Sequence, residues 1–268
     1  MKLFMKLFII GLFATINALT LYETCNRLSS LTYCGMEELD RRATELNVII
    51  DTYLYNYEFD THGIIGVSYI DETIYIALRG SHSKQNWKDD LDIRLIDYNH
   101  CFNCEVHEGF YNYAMSVYNE TKESIDRLKL LYSSFDIVFT GHSLGSSVTL
   151  IALELYFQNH NSTVVTFGSP RLGNKEFATT MSILPTIRFT HYKDVVPHVP
   201  TIRFMHMLGE HYENEHGNIT ICQGYENETC ANQHLLKDTN TNDHMYYLGY
   251  YMSCYEPLDN LLFHYLIL

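Results

Sequence analysis

Gly141-His142-Ser143-Leu144-Gly145 follows the apolar run Phe135 to Thr140 and precedes Leu144, Val148, Ile151 and Leu155, spaced as one face of a helix. Gly-x-Ser-x-Gly between a buried strand and a helix is the setting of a nucleophilic serine. The tight turn lifts the hydroxyl clear of the sheet, and flanking glycines let neighbouring backbone pass close by. The amide of Leu144, at the start of the helix, then faces the negative charge that grows on an attacked acyl oxygen. The chemistry this pattern implies is acyl transfer through Ser143.

A serine needs a base to take its proton and an acid to orient the base, and on an open α/β sheet these follow in the order Ser, Asp or Glu, His. Asp194 is the best acid, because it comes just after the strand-like run Thr186 to His191, where active-site loops gather at the carboxyl ends of strands. Asp238 and Asp243 lie in a polar stretch with no strand before them. For the base, His198, His206, His211, His216, His234, His244 and His264 all have the right order. His244 opens an apolar, tyrosine-rich run and has the character of a loop-to-helix residue. His206 lies inside a strand-like run and His264 in an apolar tail, but the residues alone leave the choice open.

The elements that must carry these groups alternate between strand and helix. Met36, Leu39, Ala43, Leu46 and Ile50 are spaced as a helical stripe. Ile64 to Ile70 and Thr73 to Arg79 read as strands joined across Asp71 and Glu72. His107 to about Leu131 reads as one long amphipathic helix, Thr163 to Gly168 as a buried strand, and Gly173 to Leu184 as a helix before the Thr186 to His191 strand. Helices long enough to cross over between buried strands imply an α/β fold with a largely parallel central sheet flanked by helices. Tyr212 to Asp243 is polar and loop-rich.

The 268 residues are 46% hydrophobic, enough for one substantial core and one domain. Lys2 and Lys6 precede an apolar run from Leu7 to about Phe13 and then small residues, the construction of a secretory signal, with cleavage expected after Ala18 and a single domain over 19–268. The run is too short to span a bilayer, as is Asn260 to Leu268, which is expected to pack on the core. Glycosylation triplets at Asn119, Asn161, Asn218 and Asn227 fit a secreted chain. A formal net charge of -14 argues against nucleic acid and against attraction to anionic membranes. Seven cysteines in an exported chain favour disulfides with one thiol left over.

Taken together, the motifs resemble those of the class 3 lipases, the lid-covered triacylglycerol lipases of filamentous fungi. Arg79-Gly80-Ser81, Asn86-Trp87, Asp90-Leu91, Val106-His107-Glu108-Gly109-Phe110, the Ser143 pentapeptide, Thr166-Phe167-Gly168-Ser169-Pro170-Arg171, Asp194-Val195-Val196-Pro197 and Asp243-His244 run in that family's order. The resemblance covers about Ile64 to Cys254. It implies the α/β-hydrolase fold with a short lid, and a triad of Ser143, Asp194 and His244. Ser81 and Leu144 would donate the oxyanion-hole bonds, Asp90 would hold the Ser81 hydroxyl, and Arg171 would be structural support near the elbow. It also implies disulfides Cys34 with Cys254 and Cys222 with Cys230, with Cys101 and Cys104 able to close a local bridge and Cys25 left unpaired. The implied activity is secreted hydrolysis of lipid esters at a lipid-water interface, with no metal and no organic cofactor. Phospholipase A1, a soluble carboxylesterase and a non-catalytic lipid-binding protein on the same fold are the alternatives.

Two features depart from the family. Ser146 and Ser147 replace the usual Gly-Ala pair after the elbow. The lid segment, His82 to Asp90, has Trp87 as its only large apolar residue, so weak interfacial activation is expected. A competing reading takes His100, Cys101, Cys104 and His107 as zinc ligands, although histidines so close in sequence strain a tetrahedral site.

Overall fold

The computed structural model describes residues 21–81 and 94–256. The signal segment, the lid segment with Trp87 and Asp90, and the apolar tail from Asn260 lie outside the described residues. The described residues open with a helix at 21–31 and a second at Met36–Glu45. After them come the strands β1 (Ile49–Asn56), β2 (Thr61–Ser68), β3 (Thr73–Leu78), β4 (Leu95–Asp97), β5 (Glu105–His107), β6 (Asp136–His142), β7 (Thr163–Phe167), β8 (Thr186–His191), β9 (Glu210–Glu213) and β10 (Ile219–Ile221). Among the described residues, eight of them form one sheet in the order β1-β2-β3-β6-β7-β8-β9-β10, while β4 and β5 pair separately. β3, β6, β7, β8 and β9 run parallel, and the two edges are antiparallel.

This topology reflects which faces the strands must bury. All six residues of β3 are buried, and the last six of β6, the pattern of strands covered on both faces. Successive side chains point to opposite sides. Ile74, Ile76, Leu78, Ile137 and Phe139 therefore join the core beneath the helices Glu108–Met115, Tyr118–Leu131, Val148–Tyr156 and Lys175–Met181. Tyr75, Ala77, Val138, Val165 and Phe167 join the opposite core, beneath the two N-terminal helices, with Tyr247 and Met252. The expected α/β architecture of a mostly parallel sheet between helices is what forms.

Local differences have local causes. The N-terminal stripe does not run on to Ile50: the helix ends at Glu45, Asn47 turns the chain with φ 59°, and Ile50 enters β1. The expected long helix from His107 is two helices broken at Ser116 and Val117, and His107 itself ends β5 and caps the first of them, accepting a bond from the Phe110 amide. The polar stretch from Tyr212 holds the second half of β9 and all of β10. Cys101 and Cys104 are bonded to each other, which overturns the zinc reading, since a bridged pair offers no thiolate to a metal. Cys34 is joined to Cys254 and Cys222 to Cys230, and Cys25 is buried and unbridged.

The two serines after the elbow meet different fates in the core. Ser146 Oγ donates to the Gly141 carbonyl at 3.2 Å. Ser147 is fully buried, and its hydroxyl finds no partner among the described residues. A buried hydroxyl without a bond costs about 1–3 kcal/mol. Ser147→Ala keeps the Cβ and removes the orphan, so it should raise stability by about 1 kcal/mol and Tm by roughly 2–4 °C in thermal unfolding. A lowered Tm would contradict this.

Candidate active site

β6 and β3 are paired so that Leu78 lies opposite Gly141, and both chains leave the sheet at the same edge. β6 runs directly into a 3₁₀ turn at Ser143–Ser147, with Ser143 at φ 57°. A side chain in this left-handed region is strained, and the strain is held by packing around it. A Cβ on Gly141 would lie 2.2 Å from the Gly145 carbonyl oxygen, and one on Gly145 would lie 2.2 Å from that of Leu78. Only glycine fits either position, which is the physical content of the pentapeptide. On the other side, a Cβ on Gly80 would lie 3.0 Å from the Ser143 Cβ. Ser81 therefore leaves β3 beside the elbow, and Leu144 comes directly within the turn.

The candidate acid stands at the end of the neighbouring strands. β8 ends at His191, and Asp194 is almost wholly buried in the turn beyond it. Its Oδ2 accepts from His244 Nδ1 at 2.8 Å, and its Oδ1 accepts from the Val196 amide at 2.8 Å. The Tyr247 hydroxyl also donates to Oδ2. Burial, and the Asp194 charge it faces, push Tyr247 well above the usual tyrosine range, so this phenol stays a donor. With its proton on Nδ1, His244 keeps Nε2 as the basic nitrogen. β7 ends under this pair: Gly168 has φ 59°, and a Cβ there would lie 2.9 Å from both Asp194 Oδ2 and His244 Nδ1.

Several further bonds hold the candidate base in place. His244 lies in the 3₁₀ turn Asp243–Met245, and the His142 Nε2 donates to its carbonyl at 2.8 Å, with the two rings stacked at 4.4 Å. His191 Nδ1 donates to the Asp243 carbonyl at 2.8 Å. Asn240 joins the two loops, its carbonyl accepting from the Val195 amide and its Oδ1 from the Asp243 amide. Asn26, on the first helix, donates to the Tyr247 carbonyl.

The rejected candidates are employed elsewhere. His198 and His206 are buried with their rings on backbone carbonyls, including those of Asp194 and Pro197. His206 lies outside any strand, correcting its sequence reading. His211 is on β9, His216 is exposed, and His234 and Asp238 line an open polar cleft of about 780 Å³ that includes none of Ser143, Asp194 or His244. Arg171 does not support the elbow: it makes a two-pronged pair with Glu226 at 2.9 Å and donates to the Pro200 carbonyl. Burial alone would push Glu226 up, yet Arg171 holds it well below the usual carboxylate range. The one possible metal grouping among the described residues, Glu210 with Cys222 and Cys230, has both thiols in a disulfide. Sequence reasoning missed Tyr33, His142, Asn240 and Tyr247. Only Tyr247 left a trace, as part of the tyrosine-rich run after His244.

Comparison with known proteins gives a consistent result. The lipase (class 3) family profile matches residues 75–204. A lipase of Rhizomucor miehei is 32% identical over 256 residues, covering 87% of this chain and 69% of that protein. A lipase of Rhizopus niveus is 30% identical, and there the match spans only 51% of the relative's length. A secreted mono- and diacylglycerol lipase A of Penicillium cyclopium is 29% identical over 60% of this chain and 55% of the relative. Among solved structures, a triacylglycerol lipase whose catalytic centre is a serine-protease triad superposes with TM-score 0.79 at 29% identity, covering 90% of this chain and 97% of that one. Lip2 lipase of Yarrowia lipolytica gives 0.78 at 26%, covering 88% and 95%.

The buried histidines make stability depend on pH. Burial and the neighbouring His244 push His142 well below the usual histidine range. Burial, with Arg188 and Arg171 close by, does the same to His206, and burial with Lys193 lowers His234. Unfolded, these rings take up protons near pH ~6.5, whereas the folded state resists them. Their contribution is complete above about pH 6.5 and is lost as pH falls toward the folded values. Glu213, raised by burial, acts in the opposite direction, one group against three. Tm should therefore fall between pH 7 and pH 5, and a Tm that is flat or rising over that range would contradict the assignment.

Proposed function

The chain belongs to the class 3 lipase family and is a carboxylic ester hydrolase; we propose that it is a secreted triacylglycerol lipase that works through Ser143, His244 and Asp194. The observation that carries this reading is the 2.8 Å bond between buried Asp194 and His244 Nδ1, reached at the strand ends beside a serine with φ 57°. His244 Nε2 takes the Ser143 proton as Oγ attacks the ester carbonyl. The charge that grows on the carbonyl oxygen is met by the amides of Ser81 and Leu144. Collapse expels the alcohol with the proton from His244, leaving an acyl-enzyme that water opens by the same route. Asp194 keeps the imidazole in the reactive tautomer and offsets its charge when it is protonated.

Export from the cell and action at a lipid surface belong to the same proposal. No described helix is long and apolar enough to cross a membrane. Three disulfides among the described residues suit an oxidising compartment. A relative of this chain is named as secreted. Lys2 and Lys6 before the first apolar run are in keeping with an export signal.

Purified protein assayed on p-nitrophenyl butyrate, tributyrin and phosphatidylcholine tests this reading. Tributyrin should be the preferred lipid. Ser143→Ala and His244→Ala should each lower kcat by roughly a million-fold, and Asp194→Ala by about ten-thousand-fold, with circular dichroism unchanged. Full activity in Ser143→Ala would dispose of the mechanism, and preference for phosphatidylcholine would reassign the substrate.

A further inference from the structure

A second line of hydrogen bonds runs behind the proposed nucleophile. The Gly80 amide lies 3.1 Å from the Tyr33 hydroxyl, that hydroxyl lies 2.9 Å from His142 Nδ1, and His142 Nε2 lies 2.8 Å from the His244 carbonyl. Each donor is dictated by its neighbour. A carbonyl only accepts, so His142 carries its proton on Nε2; in the neutral ring Nδ1 then accepts, so Tyr33 O–H donates to it. The Tyr33 oxygen is left to accept the Gly80 N–H. His142 is 1% exposed, so water does not compete for these bonds. There is also no slack at the Gly80 end, where a Cβ would lie 2.2 Å from the Tyr33 oxygen and 2.7 Å from the His142 carbonyl.

This line joins parts of the chain that sequence keeps far apart. Tyr33 comes after the first helix, Gly80 immediately precedes Ser81, His142 immediately precedes Ser143, and His244 is the base. We propose that Tyr33 and His142 are positioning residues that lock the segment carrying the Ser81 amide to the backbone of His244, so that the oxyanion site and the base keep one fixed placement about Ser143. His142, the second residue of the pentapeptide, is then a joint rather than a spacer. The inference rests on the triad and oxyanion assignments proposed above.

The bonds act on the transition state and leave ground-state binding alone. In Tyr33→Phe the ring still packs but the link is cut, and the Ser81 amide shifts from where the oxyanion forms. A displaced donor should cost less than the roughly hundredfold to thousandfold of a deleted one. With p-nitrophenyl butyrate, kcat should fall about tenfold to a hundredfold with KM within twofold. Inhibition by butylboronic acid, whose tetrahedral adduct places an oxygen in the oxyanion site, should weaken by the same factor as kcat. His142→Phe should behave alike, and the double variant should lose less than the product of the two single losses, because both cut one chain.

Ser143-dependent hydrolysis in which Tyr33→Phe matches the wild-type kcat overturns this proposal alone. So does a lower kcat with unaltered boronic acid inhibition, which marks a purely structural role. Hydrolysis that survives Ser143→Ala overturns the functional reading and this inference together.

Discussion

The closeness of three backbones at the elbow is the constraint on which the rest depends. Gly141, Gly145 and the Leu78 carbonyl approach so nearly that one added carbon at either glycine would overlap an oxygen. That approach needs β3 and β6 to be adjacent, parallel and in the register that sets Leu78 beside Gly141. The register in turn is fixed by the two cores, since a slip of one residue would send Ile74, Ile76 and Leu78 to the face that Tyr75 and Ala77 now fill. The strained Ser143 conformation is thus maintained by hydrophobic burial on both sides of the sheet, far from any reacting atom.

Charge is arranged around that elbow with little help from water. Asp194 is 1% exposed and is compensated by the His244 imidazole, the Tyr247 hydroxyl and the Val196 amide. A buried carboxylate without such donors would be costly. His142, stacked on His244, is kept neutral by burial and by its neighbour, so it would not oppose the positive charge that His244 takes on as the proposed base. Two histidines in contact thus have different tasks: His244 faces Asp194, and His142 holds the backbone of His244.

The sheet and the candidate nucleophile were legible because their signals are local. Buried strands read as apolar runs, and the elbow is a contiguous pentapeptide. Asp194 was singled out by its place after a strand, and it meets His244. The base was not legible from the residues alone, since seven histidines come after Asp194 and the one that meets it is selected by folding across fifty positions. Tyr33 and His142, 109 positions apart, leave no periodic mark for the same reason. β1 was read partly as helix because Ile50 fits the spacing of Leu39 and Ala43, and only the turn at Asn47 separates them. The break at Ser116 was hidden because both helices it separates turn an apolar face to the same core.

Catalysis by an activated Ser143 is the claim on which the functional account stands. Incubating the protein with diethyl p-nitrophenyl phosphate and mapping its peptides by mass spectrometry tests it most directly, because the organophosphate is attacked only by an activated nucleophile. One diethylphosphoryl group per chain is expected, on Ser143, accumulating in step with loss of esterase activity and absent from the His244→Ala protein. Complete inactivation with Ser143 unmodified, or equal labelling of the His244→Ala protein, would contradict it.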